Sequence, residues 1–426
     1  MKKKTMTLLS VLLAATALTA CGNDEKAASP GGSQASGGDE KVKLTFLSLY
    51  NEDGMKPLLD AFNAKYPNIE IDLQFAPPTK DYEEKLKVLT VTNEVPDLFF
   101  LNPQNRFEMI KNGYATDISD NSAFANLNQN NIDQYSFEGK QYAFAPDTWL
   151  GGILYNKKLF ADAGIAGTPT TWAELVDTMN RIKAQGVKPI MERGEYLWTL
   201  PNALFYNDVI SKDDTLDDQI IEGKKTFADL WTGPYQTWYK DIVQSGLYEK
   251  DFLGVGTDQF INEFATGQVA MIVGNNDHLK RILEANPDLD LGIFPLVGTE
   301  PGIQYLYGTV NVGIAVGSQT KNRDAAYKFI EFVGSPEGAT LYSNMTGYLS
   351  GVNGSQSKVP EVMAEFNRMY LDNEVRLYLP HNNFGDYSVS LLAELVKASQ
   401  DALAGVIPPE EVPQRLDAKL KELQQR

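Results

Sequence analysis

The sequence predicts an α/β protein of two or three domains, and three observations carry that prediction. A strand, helix, strand, helix, strand rhythm runs from Val42 to Asn102. A second stretch of similar rhythm begins near Tyr142. The 426 residues are 43% hydrophobic and 11% aromatic, enough to bury a sizeable core and long enough for more than one domain. The first rhythm is that of a parallel sheet with crossover helices on its faces. In such sheets ligands gather beyond the carboxyl ends of the strands.

The chain opens with "MKKKTMTLLSVLLAATALTAC". Lys2, Lys3 and Lys4 precede an apolar stretch from about Met6 to Leu18, followed by small residues, which is the layout of a secretory signal. The apolar stretch is short for a membrane span. Leu18-Thr19-Ala20-Cys21 closely resembles the bacterial lipoprotein box. That resemblance implies cleavage after residue 20, a diacylglycerol on the Cys21 sulfur, and anchoring at a membrane by the added acyl chains. Losing residues 1–20 removes three lysines and no acid, moving the net charge from −18 to −21. Residues 21–40 are mostly Gly, Ser and Ala after the cysteine, a composition for a flexible tether of about 24 Å.

The body begins with "VKLTFLSL", apolar on both faces as in a covered strand. "DGMKPLLDAFNAKY" spaces Met55, Leu58, Leu59, Phe62 and Tyr66 for a helix, "IEIDLQF" alternates as a strand, "DYEEKLKVLTVTN" is helical, and "PDLFFLN" is a buried strand. The segments "YNED" and "NPQNR" that follow the first and third strands therefore point toward one cleft. In the second region, "YAFAPDTWLGGILYNKKLF" reads as a long strand entering a helix. "TPTTWAELVDTMNRIKAQG" is an amphipathic helix with a Thr-Pro start, "KPIMERG" a strand, and "LWTLPNALFYNDVI" a helix interrupted by Pro201. A helix follows in "TFADLWTGPYQTWYKDIVQSG", where Trp231, Tyr235 and Trp238 are expected in the core, and another in "TDQFINEFATG", which leads into the strand "VAMIV". "KDDTLDDQ" lacks the glycine and spaced oxygens of a calcium loop and reads as a solvated turn.

Composition excludes several function classes. The single Cys21 rules out a disulfide framework within the chain, and the two histidines, His278 and His381, are poor metal candidates, so no metal site or cofactor is expected. The acidic balance argues against a nucleic-acid partner, which needs clustered Lys and Arg. It also discourages anionic small ligands, although one buried arginine can override it. There is no phosphate-binding Walker loop, nucleophile elbow or zinc-protease helix motif.

Four stretches carry a family resemblance: "GGILYNKKLF" with "TPTTWAEL", "FATGQVAMIVG", "GIAVGSQTKNRDAAYKFIEFVGSPEGA", and the C-terminal "ALAGVIPPEEVPQRLDAKLKEL". In order and spacing they resemble the extracellular solute-binding proteins of carbohydrate transporters over nearly all of residues 41–426. The resemblance implies two α/β lobes joined by three crossings, near 147–152, 294–297 and 347–352. Lobe one would comprise 41–147 and 297–348, and lobe two 148–296 and 349–426. It further implies a non-enzymatic monomer that closes over a sugar and is recognised by membrane permease subunits of an ABC transporter.

A sugar presents apolar C–H faces and a rim of hydroxyls, so its site needs aromatic plates together with carboxylates, amides or arginine. By correspondence with the family's contact segments, the expected residues are Tyr50, Asn51 and Glu52, then Asn102, Gln104 and Arg106, with Asp147 and Trp149 at the hinge. From lobe two come Glu195, Tyr196 and Trp198, then Asn275, Asn276 and Asp277, and finally Asp386 and Tyr387. "GNND" stands where maltose-binding members carry a tryptophan, so a maltose assignment is not supported. The rival readings are a secreted glycoside hydrolase, which needs only two suitably spaced carboxylates, and a receptor of the same fold for a non-sugar solute.

Overall fold

A computed structural model describes residues 41–77 and 80–425. The expected signal peptide, Cys21 and the tether lie outside the described residues. Strand β1 (Val42–Ser48) pairs in parallel with β2 (Ile69–Phe75) and with β3 (Leu98–Leu101), with helices α1 (Glu52–Lys65) and α2 (Lys80–Val91) between them. α1 forms where its caps predict. The Asn51 side chain accepts from the Gly54 N–H at 2.9 Å, Glu52 and Asp53 occupy the first turn and Lys65 the last, and Met55, Leu58 and Phe62 form the buried face. The short α3 (Arg106–Lys111) follows β3.

The second sheet is organised around one ten-residue strand, β4 (Asp147–Asn156). Its later neighbours are α4 (Trp172–Ala184), α5 (Thr199–Asp208), α6 (Phe227–Trp238) and α7 (Thr257–Ala265), then β5 (Met271–Asn275), α8 (Asn276–Ala285), β6 (Leu291–Phe294) and β7 (Tyr305–Val310). The chain continues with β8 (Gly313–Val316), α9 (Arg323–Val333), α10 (Pro336–Thr346), β9 (Leu349–Ser350), β10 (Arg376–Tyr378), α11 (Ser388–Ala404) and α12 (Glu411–Gln424). β8 returns to the first sheet, antiparallel to β3, giving the order β8-β3-β1-β2. β4 pairs antiparallel with β9 and β7 along its first half and with β5 and β6 along its second. Only β10 and β7 run parallel among the named strands of that sheet.

Two separate apolar cores result. One gathers around Phe46, Phe99 and Phe329, the other around Ile153, Met271 and Trp231. The protein is thus a two-lobed α/β fold. Trp231 and Trp238 are fully buried in the second core, as expected, with Trp231 stacked on Tyr235 at 6.3 Å.

The three crossings are visible as the chain changes core. The first falls between Ala145 and Leu150. The second does not fall at 294–297. Phe294, Leu296 and Val297 stay in the second core and β7 pairs with β4, so the chain passes between sheets at Asn311. At the third, Leu349 joins the second core and Val352 the first, and from Met363 the chain remains with the second.

Four local expectations also change. "KPIMERG" forms no strand but two isolated parallel bridges, Lys188 to Val269 and Met191 to Ile272. Pro201 does not interrupt α5, because it is the third residue of the first turn, where an N–H has no helical partner. In α4 the cap is Thr171, accepting from the Glu174 N–H at 3.3 Å, and not the Thr168-Pro169 pair. "KDDTLDDQ" enters a helix at Leu216, and Asp217 is buried, accepting from the Tyr378 hydroxyl at 2.8 Å and from Asn383 at 2.8 Å.

The "GG" of β4 has a packing cause. A Cβ on Gly152 would lie 2.4 Å from the Phe294 carbonyl oxygen, and one on Gly151 2.7 Å from the Gly274 carbonyl oxygen. Gly152→Ala is expected to destabilise the protein by about 1–3 kcal/mol, the usual range for forcing an added carbon into packed surroundings. Urea unfolding of the two proteins checks it, and equal midpoints would contradict it.

Candidate ligand-binding site

A cavity of about 1040 Å³ lies between the lobes. Lobe one supplies the loop after β3, Asn102 to Asn105, together with Glu83 of α2 and Glu108 of α3. Lobe two supplies Trp149 from β4, Glu195, Tyr196 and Trp198 from the turn before α5, and Tyr307 and Thr309 from β7. The crossing residue Asn311 lies between these walls, and His381, Val389 and Leu392 complete the side toward α11.

The wall chemistry is divided, with Glu195 the one carboxylate lining it from lobe two. On lobe two the aromatic rings brace one another: Trp149 meets Tyr307 edge-on at 5.2 Å, and Tyr196 lies 6.0 Å from Trp198. Trp198 is nearly buried, its Nε1 donating to the Glu195 carbonyl at 2.9 Å and its ring meeting His381 at 5.6 Å. Lobe one offers amides and carboxylates. The side chains of Asn102 and Asn105 donate to the two oxygens of Glu83, the latter at 2.7 Å. Burial pushes the Glu83 carboxyl above its usual range while these two amides oppose the shift. Burial pushes His381 down to about 3, so its ring is neutral at physiological pH.

A smaller inner pocket of about 160 Å³ shares Trp149, Tyr196 and Tyr307 with the cavity. Arg193, Val273, Gly274, Asn275, His278 and Tyr348 line the rest of it.

Of the residues expected from the sequence, Asn102, Gln104, Trp149, Glu195, Tyr196 and Trp198 line the cavity, and Asn275 the inner pocket. The others are placed elsewhere. Tyr50 turns inward, edge-on to Phe100 at 5.5 Å, with its hydroxyl accepting from the cavity-lining Asn311 at 3.3 Å. Asn51 caps α1 and Glu52 sits exposed in its first turn. Asn276 is buried, bridging the Leu150 N–H and the Gly347 carbonyl, and Asp277 is exposed. The cap of α8 is Asn275, whose side chain accepts from the Asp277 and His278 N–H groups at 3.1 Å each.

Arg106, Asp147, Asp386 and Tyr387 also lie outside the lining, and three of them join the lobes. Arg106 is buried and donates to the carbonyls of Pro103 and, across the cleft, Asn382 at 3.0 Å. Lys111 of lobe one pairs with Asp386 at 2.7 Å on the exposed rim. Asp147 is fully buried at the first crossing. Its carboxylate accepts from Thr346 at 2.6 Å, its carbonyl accepts from the Asn311 N–H at 3.1 Å, and its backbone pairs with Ser350. All three crossings therefore touch this one residue. Burial pushes its carboxyl up to about 7.

The sequence reading missed Glu83, Asn105, Glu108, Arg193, Tyr307, Thr309 and Asn311 as lining residues, and saw His278 and His381 only as unsuitable metal ligands. Asn311 carried one signal: it directly follows an apolar strand, at the position where strands of such sheets meet a ligand. Among the described residues no cluster suits a metal ion, and no helix is long and apolar enough to cross a membrane.

A sheet-based pair of lobes around a ring-lined cleft defines a binding protein, and comparison with known proteins gives its family. Residues 50–340 match the family described as bacterial extracellular solute-binding protein, so the chain belongs to that family, whose members bind solutes and are not enzymes. It is 24% identical to the melibiose/raffinose/stachyose-binding protein MelE of Bacillus subtilis, over 91% of each chain. It is 22% identical to the multiple sugar-binding protein of Streptococcus mutans, over 74% of this chain and 76% of that one. Among solved structures it resembles a family 1 extracellular solute-binding protein from Bifidobacterium longum subsp. infantis, with TM-score 0.79 and 24% identity over 90% of this chain and all of the other. It also resembles RafE in complex with raffinose, with TM-score 0.71 and 21% identity over 89% and 98%.

Proposed function

We propose that the protein is a lipid-anchored extracellular receptor that binds a sugar, an oligosaccharide by the size of the cleft, and delivers it to the permease of an ABC transporter by closing its lobes. The observation that carries this reading is the division of the cavity: aromatic rings on lobe two face amides and carboxylates on lobe one across about 1040 Å³. Rings match the C–H faces of a saccharide and the opposing polar groups match its hydroxyl rim. A ligand touching both walls stabilises the closed arrangement by its differential affinity for it. The named relatives that bind melibiose, raffinose and stachyose support the ligand class. The Leu18–Cys21 sequence supports the anchor, and the membrane is engaged only through it.

Thermal denaturation in the presence of mono- and oligosaccharides tests the proposal. The expected result is an upward shift of the midpoint by an oligosaccharide that is recovered chemically intact. Accumulating hydrolysis products would favour the glycoside hydrolase, and the absence of any saccharide-dependent shift would overturn the sugar assignment.

A further inference from the structure

The inner pocket differs in charge from the cavity with which it shares Trp149, Tyr196 and Tyr307. Glu83, Glu108 and Glu195 line the cavity, while the inner pocket has no carboxylate in its lining and one cation, Arg193. Arg193 Nη1 donates to the Thr257 hydroxyl at 2.6 Å, and the guanidinium carbon lies 4.6 Å from the centre of the Tyr196 ring. It makes no ion pair among the described residues. Of the described arginines only Arg106 shares that property, and Arg106 is directed at two backbone carbonyls. In a chain with 56 acidic residues, an arginine facing a pocket without a carboxylate partner is unusual chemistry.

The neighbouring groups leave that charge uncompensated. Burial first, then the charges of Arg193 and Arg281, hold His278 down to about 3, so it is neutral, and its Nδ1 accepts from the Asn275 N–H at 3.3 Å, which leaves the proton on Nε2. Arg281 is itself paired with Asp258 at 2.6 Å. Glu192, adjacent in sequence, is fully buried, bonded by the Tyr248 hydroxyl, and driven toward its neutral form by desolvation. Asp277 is exposed and outside the lining, although its charge reaches Tyr348. Glu195 lines only the outer cavity.

Building on the sugar-receptor reading, we propose that the inner pocket takes the uronic-acid end of an acidic oligosaccharide, with the sugar carboxylate against the Arg193 guanidinium and the ring beside Trp149 and Tyr307. The planar fork of a guanidinium matches a carboxylate in two parallel hydrogen bonds. The pocket volume, about 160 Å³, is well below the roughly 300 Å³ of a small complete ligand site and suits a single ring. The remaining sugars would be neutral, because the outer cavity presents carboxylates that accept from hydroxyls and repel a second acid.

The test is calorimetric titration of the full-length protein with neutral oligosaccharides that end in one galacturonic acid and with glucuronic-acid-terminated xylo-oligosaccharides, each beside its carboxyl-reduced counterpart. The acidic member of at least one pair is expected to bind about tenfold or more tightly, the range for a hydrogen bond to a charged group. Arg193→Met is expected to erase that preference and Arg193→Lys to keep part of it, with thermal melts of both unliganded variants confirming that they fold. Equal or tighter binding of the reduced sugars, or the same loss for both members of a pair in Arg193→Met, would overturn the inference. Binding of neutral saccharides alone would overturn it and leave the receptor reading standing, whereas no binding of any saccharide would overturn both.

Discussion

Replacing Trp149 with alanine is expected to weaken the best oligosaccharide ligand by about 30-fold or more while the unliganded protein keeps its fold. Trp149 borders both the cavity and the inner pocket, so every ring that spans the two must pass it. Its indole is braced edge-on by Tyr307 at 5.2 Å, which holds it in place before any ligand arrives. Little ordering cost then remains for binding. Removing such an anchor commonly costs about 2 kcal/mol or more, equivalent to that change in affinity. The side chain is only half-buried, so its loss leaves a surface recess and not a core void. Titration calorimetry with the ligand found by thermal screening measures the effect, and an unchanged dissociation constant would remove Trp149 from the site.

The second large effect concerns Asp147 and pH. Its carboxyl is raised from 3.8 to about 7, by burial first, with hydrogen bonds from Thr346 and Asn311 opposing. The folded protein therefore holds this proton more tightly than the unfolded chain. The resulting stabilisation is fully present below pH 3.8 and is lost as pH rises through about 7. Its ceiling is about 4 kcal/mol, at about 1.4 kcal/mol for each tenfold gain in proton affinity. Asp147→Asn carries no such proton. Its stability relative to the natural protein is expected to increase from pH 4 to pH 8, most steeply between pH 5 and 7. Asp217, raised to about 6, titrates in both proteins and cancels in the comparison. Urea unfolding at a series of pH values provides the measurement, and a difference that does not vary with pH would show that Asp147 titrates normally.

The parts of the fold that were legible are those governed by near neighbours in sequence. α1 is written in Asn51, Glu52 and the spacing of Met55, Leu58 and Phe62, and β1 to β3 in short apolar runs separated by helical ones. The second sheet was not legible in this way. Its pairing depends on β4 meeting β7, with Thr148 opposite Val310, and no local periodicity encodes a partner so distant. The same cause displaced the second crossing: Phe294 to Val297 contains nothing that announces whether the next strand stays with β4.

The site divides similarly. Resemblance located the turn that carries Glu195, Tyr196 and Trp198, the indole of Trp149, and the amides after β3. Tyr307 escaped because "YLYGTV" has the composition of an ordinary buried strand. Only the placement of Gly151 opposite Tyr307 in the sheet brings that ring beside Trp149. Tyr50 was misjudged for the complementary reason. It follows a strand whose end does face the cleft, yet its ring finds Phe100 and Tyr342 behind the wall, at 5.5 and 6.2 Å.

β4 unites two roles, since Asp147 at its start meets all three crossings and Trp149, two residues on and on the same side of the strand, faces the cavity. Any swing of the lobes about the crossings would leave Trp149, Tyr196, Trp198 and Tyr307 in their mutual arrangement, because all four belong to the second lobe. A solute reaching the parted protein would settle first on this ready-made bench of rings, and the amides of the loop after β3 would arrive afterwards as its cover. Capture would then proceed in a fixed order, with the arriving lobe checking the hydroxyls of a guest that is already seated.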